Sequence, residues 1–180
     1  LAHSNEWESL KSRCEACTIC EGLSKEGRLC AYGKPTFGYG KTQDNSIMFV
    51  GEAPGEAGCG ITGIPFTNDK SGQLFNWILE RYGKTMGDIY TTNIVKCCPM
   101  RNRTPTRDET RNCAVRYLYE EIKLIKPRRL VALGKTAFNQ LQSRGAIYIP
   151  HPAYAIRNGA VPGNRAAEIY SLNYKVILCP

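Results

Sequence analysis

Ser46-Ile-Met-Phe-Val50, running straight into Gly51-Glu-Ala-Pro-Gly55, decides how this chain folds. The first five residues form a short apolar run, the mark of a strand buried on both faces. The next five form a turn at that strand's C-terminal end. Downstream, Leu74, Phe75, Ile78, Leu79 and Tyr82 recur at helical spacing within residues 69–82. Residues 89–95 read as a second strand. Thr106-Arg-Asp-Glu109 is a capping box that opens a helix with the stripe Ala114, Val115, Leu118, Ile122 and Ile125, and Pro127 ends it. Residues 129–133 read as a third strand, followed by Gly134 and a helix through Gln142, and residues 146–149 as a fourth. Upstream, residues 6–20 suit a short helix and residues 21–45 read as loop. Residues 166–178 are apolar without a clear period. Strands alternating with helices predict an α/β fold: a three-layer αβα sandwich around a four-stranded parallel sheet, as one domain over residues 1–180. Ligands in such folds sit beyond the strands' C-terminal ends. Residues 51–55, 93–98 and 151–157 all fall there.

The chain has 180 residues and a net charge of +8, which favours a polyanionic partner, nucleic acid first. No apolar run reaches membrane-spanning length, and no N-terminal stretch reads as a signal peptide, so an intracellular, cytoplasmic or nucleoid-associated protein is expected. The nine cysteines are Cys14, Cys17, Cys20, Cys30, Cys59, Cys97, Cys98, Cys113 and Cys179. An odd count without a secretory signal points to metal binding rather than a disulfide framework.

Gly-Lys-Thr occurs at Gly40, Gly83 and Gly134. A phosphate-binding P-loop needs glycine five positions earlier, where this chain has Pro35, Ile78 and Arg129, so an ATPase reading fails. Cys14, Cys17 and Cys20 offer two overlapping C-x2-C pairs, with Cys97 and Cys113 far downstream. Zinc ribbons usually repeat a close pair, which weakens zinc. Four thiolates suit a [4Fe–4S] cluster equally well, and spacing leaves the choice open. At the strand ends, Gly51 and Gly55 allow close backbone approach, Phe66 offers an aromatic face, Asn93 carries a donor and an acceptor for a base edge, and His151 precedes Pro152.

These stretches resemble the iron–sulfur uracil-DNA glycosylases, family 4 with family 5 features. The resemblance rests on Met48-Phe-Val-Gly-Glu-Ala-Pro-Gly55, Thr62-Gly-Ile-Pro-Phe66, Ser71-Gly-Gln-Leu74, Thr92-Asn-Ile-Val-Lys-Cys97, Asn102-Arg-Thr-Pro105 leading on to Cys113, Leu133-Gly134, and His151-Pro-Ala-Tyr154. They follow the family's order across most of the chain.

The resemblance implies a glycosylase that flips uracil out of DNA and hydrolyses its glycosidic bond, initiating base excision repair. It implies a [4Fe–4S] cluster on an N-terminal segment, held by Cys17, Cys20, Cys97 and Cys113. Cys17 and Cys20 are preferred over a pair using Cys14 because the family pair often reads Cys-Thr-x-Cys. By the same resemblance Phe66 stacks on the base, Asn93 reads its edge, the Glu52–Ala53 backbone meets its carbonyl, and His151 stabilises charge on the leaving base. Asp69 is the candidate general base, because the segment from Gly51 to Phe66 has family 5 spacing. Glu52 follows family 4 and stands with Asp69 and His151 among the candidate catalytic residues. Gly58 stands where family 4 has an acidic residue, and is expected to leave room for bases larger than uracil, such as thymine or hypoxanthine. DNA contacts are expected from Lys96, Arg101, Arg103, Arg107 and Arg157, with residues 154–156 as a wedge. The expected partner is DNA containing deaminated bases, met by a monomer and without a membrane. The rival readings are a non-catalytic iron–sulfur nucleic-acid-binding module and a redox protein.

Overall fold

The computed structural model describes residues 2–179, with side chains from residue 5 onward. Five strands lie among the described residues: β1 (Tyr39–Gly40), β2 (Ile47–Gly51), β3 (Tyr90–Asn93), β4 (Arg129–Leu133) and β5 (Ile147–Ile149). Their order is β1-β3-β2-β4-β5. The last four in sequence form the expected parallel sheet, and β1 adds an antiparallel edge of two residues. The sheet is therefore mixed rather than purely parallel. An edge strand this short leaves no alternation for a sequence to display.

β2 is buried at every position because both faces are covered. Ile47 and Phe49 point to one core, with Phe75, Leu79 and Tyr174. Met48 and Val50 point to the other, with Leu118, Ile125 and Leu141. The helices, in chain order, are α1 (Ala2–Glu15), α2 (Glu21–Leu29), α3 (Cys59–Thr62), α4 (Lys70–Arg81), α5 (Arg107–Cys113), α6 (Tyr119–Ile125), α7 (Lys135–Leu141), α8 (Pro152–Arg157) and α9 (Arg165–Leu178). α4 and α9 supply the first core, and α6 and α7 the second. No described helix is long and apolar enough to cross a membrane.

The capping box forms as expected: Thr106 accepts from the Glu109 N–H, and Glu109 accepts from the Thr106 N–H. The helix it opens widens to a π-turn at Ala114–Leu118, directly after Cys113. Residues 21–45, expected as loop, contain α2. Its Gly27 faces the strand-end segment, where a Cβ would lie 3.1 Å from Cys97 Cβ. A residue of low helix propensity is thus required by packing, which hid the helix.

Lys96, expected to contact DNA, is instead interior. It is 1 % exposed, and its Nζ lies 2.8 Å from Glu121 Oε2, itself 0 % exposed. Lys96 Nζ also donates to Thr92 Oγ1, and Tyr90 donates to Glu121 Oε1. An ammonium loses so much on leaving water that it enters a core only when paired this completely. Removing one partner should therefore be severe. Glu121→Ala is expected to cost about 3–5 kcal/mol in urea unfolding. A loss below about 1 kcal/mol, the size of a surface pair, would refute the burial argument.

Candidate active site

The ends of β2 and β3 lie side by side, with Gly51 opposite Asn93. A Cβ on Gly51 would stand 2.4 Å from Asn93 Oδ1 and 3.0 Å from Phe66 Cζ. The missing methyl lets an amide and an aromatic ring meet above the strand end. Asn93 is 5 % exposed. Its side-chain amide has no hydrogen-bond partner among the described residues. It lines a cavity of about 380 Å³ together with Phe66, Asp69 and His151. A largely buried amide left open to a cavity is a group kept for a ligand.

Phe66 has a left-handed backbone, φ 57°. That conformation costs about 1–2 kcal/mol in a non-glycine residue. The first two turns of α4 hold it. Asn76 Nδ2 donates to the Phe66 carbonyl at 3.2 Å. A Cβ on Gly72 would fall 2.6 Å from that same oxygen, so glycine is needed there. The Phe66 ring lies 4.9 Å from Phe75 and 5.9 Å from His151, centroid to centroid.

His151 caps α8, its Nδ1 accepting from the Ala153 N–H at 3.1 Å. The sequence places residues 151–157 beyond a strand end and does not predict this helix. In the neutral ring this bond leaves the proton on Nε2, as a donor. Burial pushes the imidazole down from its usual 6.5 to about 4, with Arg157 adding to the effect and Asp69 opposing it. The ring is neutral at physiological pH.

Asp69 caps α4, with Oδ1 accepting from the Gly72 N–H at 2.7 Å. Its Oδ2 occupies the space beside Gly58, where a Cβ would come within 2.8 Å of it. This corrects the expectation for Gly58. The room that glycine creates is taken up by the Thr67 carbonyl and the Asp69 carboxylate, and Gly58 does not line the cavity. Ala53 lines it, and no described group accepts from the Ala53 N–H. Glu52 lies in the wall of a larger adjoining groove of about 750 Å³.

That groove carries Arg103, Lys135, Arg157, Tyr148 and Tyr154. Tyr154 is 54 % exposed. Arg103 is already engaged, at 2.8 Å from Glu109 and 3.0 Å from Glu26. Arg101, Arg107 and Arg157 are exposed. Sequence reading missed Lys135 and Tyr148. Lys135 opens the helix after β4, and the dismissal of its Gly-Lys-Thr as a P-loop hid its place at a strand end.

A third core gathers cysteines beneath the N-terminal segment. Cys14, Cys97 and Cys113 are buried there, with Cys17 and Cys20 packed against it. Burial pushes the Cys97 thiol up to about 12, and its neighbours Cys113, Cys17 and Cys20 add to this. Burial raises Cys113 to about 11, opposed by the Lys96 backbone N–H donating to its sulfur. Asn112 Nδ2 donates to Cys20 Sγ at 3.9 Å. Cys14 instead has Lys96 and Glu121 as its strongest charged neighbours. As placed, no three such side chains among the described residues converge to ligating distance.

The model of the uracil DNA glycosylase superfamily matches residues 37–171. A Type-4 uracil-DNA glycosylase of Thermotoga maritima is 32 % identical, over 84 % of this chain and 83 % of that protein. A Type-4 enzyme of Pyrobaculum aerophilum is 48 % identical over 49 % of this chain, a match that spans 43 % of its own length. A Type-5 uracil-DNA glycosylase of the same organism is 32 % identical over 78 % of this chain and 65 % of that protein. Among solved structures, wild-type SMUG2 of Pedobacter heparinus superposes with a TM-score of 0.54 at 12 % identity, covering 74 % of this chain and 76 % of that one, a likeness of fold alone. The family model covers well over half the chain and the site lies inside the matched stretch, so the chain belongs to the uracil DNA glycosylase superfamily.

Proposed function

We propose that this protein is a uracil-DNA glycosylase. The observation that carries the reading is one cavity lined by an unpartnered amide (Asn93), an aromatic ring (Phe66), a neutral imidazole donor (His151) and a carboxylate (Asp69). The adjoining basic and aromatic groove suits the DNA strand, with Arg157 at the boundary. A base must leave the stack to enter such a cavity, which costs a few kcal/mol and is easiest at mispairs. Phe66 then stacks on it, Asn93 reads its Watson–Crick edge, and the Ala53 N–H meets a carbonyl.

In the reaction the oxygen of water bonds to C1′ as the C1′–N1 bond breaks. The electron pair of that bond leaves on the base, and negative charge grows on its carbonyl oxygen. His151 Nε2–H stands ready there without giving up its own proton, the device of an oxyanion hole. Asp69 Oδ2 accepts the proton lost by water while Oδ1 keeps its bond to the Gly72 N–H. The base is finally protonated from solvent. Abasic-site formation on a uracil-containing oligonucleotide tests the assignment directly, and its absence with wild type would overturn it. A base-binding module without catalysis is disfavoured by the presence of both His151 and Asp69 in one cavity.

The four thiols Cys17, Cys20, Cys97 and Cys113 are the donor set a [4Fe–4S] cluster takes. Their fit rests on a shared apolar core and on N–H donors at two of the sulfurs. Burial without a cation penalises thiolates, and iron relieves that penalty. When bound, the cluster pins the N-terminal segment to the strand-end loops. The setting proposed is intracellular, with a monomer acting on DNA.

His151→Ala should lower turnover by roughly a hundredfold or more while DNA affinity holds. The pH dependence follows from the lowered imidazole. Unfolded His binds its proton near 6.5 and the folded ring only near about 4, so the stability it contributes is complete above 6.5 and drains away as pH falls toward 4. By NMR, His151 should keep a neutral-ring signature through 6.5, and titration at that pH would refute the donor assignment. Gly58→Ala should lower the rate, because its methyl would meet Asp69 Oδ2 at 2.8 Å and the Thr67 carbonyl at 2.7 Å, and adding it to Asp69→Ala should cost little further rate, since both changes disturb the same carboxylate. Additive losses would separate the two roles. The purified protein should be brown, with broad visible absorbance, and a colourless, zinc-loaded protein would exclude the iron assignment.

A further inference from the structure

Asn102 belongs to a stretch that the mechanism above does not use. Its backbone is left-handed, φ 51°, as is that of Arg101 before it, φ 53°. Two consecutive non-glycine residues in this region persist only where their surroundings hold them. Here two carboxylates do so. Glu56 Oε1 accepts from the Arg101 N–H at 2.6 Å, and Glu26 Oε2 accepts from the Met100 N–H at 3.2 Å. The clasp runs both ways, since the Glu56 N–H donates to Asn102 Oδ1 at 2.9 Å. The strained loop is thereby fastened to the loop that follows β2.

This accounts for the Asn102 oxygen; the residue is exposed, so its nitrogen is open to solvent or to a ligand. Any acceptor of that size, a carboxylate included, would serve the Glu56 N–H. Yet the side chain is an amide, and Nδ2 donates to nothing among the described residues. Its location says what it faces. Asn102 lines both the groove and the cavity, as do Gly55, His151 and Arg157. These residues form the neck between the two. A nucleotide turned into the cavity leaves its phosphodiester at that neck. The adjacent Arg103, which would otherwise supply a donor, is committed to Glu26 and Glu109.

We propose that Asn102 Nδ2 binds a backbone phosphate beside the flipped nucleotide, oriented for it by the Glu56 N–H on its oxygen. This rests on the glycosylase reading. It makes Asn102 a positioning residue that holds the extruded nucleotide by its phosphate.

Asn102→Asp separates the two halves of the amide, because it keeps an acceptor for Glu56 and replaces the donor by a negative oxygen. Binding and single-turnover cleavage are measured for wild type, N102D and N102A on a uracil-containing duplex. The same duplex with a neutral methylphosphonate at each linkage flanking the uracil is measured in parallel. N102D should bind about tenfold or more weakly than wild type, the scale of one charge-assisted hydrogen bond. That gap should close to within about twofold on one of the neutral linkages, where no anion remains to be bound or repelled. If N102D matches wild type while N102A is impaired, the side chain is only a clasp and the proposal fails. A gap that persists at every linkage overturns it too. Failure of wild type to form abasic sites refutes the glycosylase reading instead, while the binding comparison still reads the phosphate contact.

Discussion

The buried pair of Lys96 and Glu121 is the interaction on which the rest of this molecule leans. Lys96 leaves the end of β3 between Asn93, which opens into the cavity, and Cys97, which enters the thiol core. Glu121 sits on α6, a few turns after Cys113 on the same continuous helical run. Their contact at 2.8 Å therefore sets the spacing between the two halves of the thiol core, while the strand end beside it carries the cavity-facing amide. A hydrophobic pair could fill the same volume. It would not demand a single arrangement as firmly, because a buried charge tolerates only the geometry that pairs it.

The site itself is assembled by close approaches that side chains would forbid. Gly51 lets Asn93 and Phe66 converge, Gly72 lets α4 grip the strained Phe66 carbonyl, and Gly58 admits Asp69. Two of the polar groups at the cavity each have one atom spent on structure and one left over. His151 gives Nδ1 to the cap of α8 and keeps Nε2, and Asp69 gives Oδ1 to the cap of α4 and keeps Oδ2. Helix capping thus supplies the rigidity that fixed donors and acceptors need.

Much of this was legible before any coordinates. Strands β2 to β5 and the capping box at Thr106 follow from apolar runs and cap chemistry, and each forms within a residue or two of its expected place. The failures have physical causes. α2 was hidden because Gly22 and Gly27 lower helix propensity, although Gly27 is there to let Cys97 approach. Helix α8 was hidden behind His151, although proline at the following position is a helix-opening signal. Lys96 was misread because residue type carries no statement of burial. The clue lay in its neighbours, since Ile94 and Val95 are core residues and Glu121 stands beside Leu118 and Ile125 on the buried side of its helix. Gly58 was misread because a missing side chain shows that space is needed, without saying who takes it.

That last point bears on how such sites change over time. A Cβ at position 58 would meet the Thr67 carbonyl at 2.7 Å and Asp69 Oδ2 at 2.8 Å, so any side chain there competes both with the backbone that follows Phe66 and with the Asp69 carboxylate. A lineage that keeps Asp69 where it is cannot add a side chain at position 58 without first moving that backbone or that carboxylate. Glycine at position 58 is therefore held by the loop as well as by Asp69, and losing the carboxylate alone would not reopen the place for a larger residue.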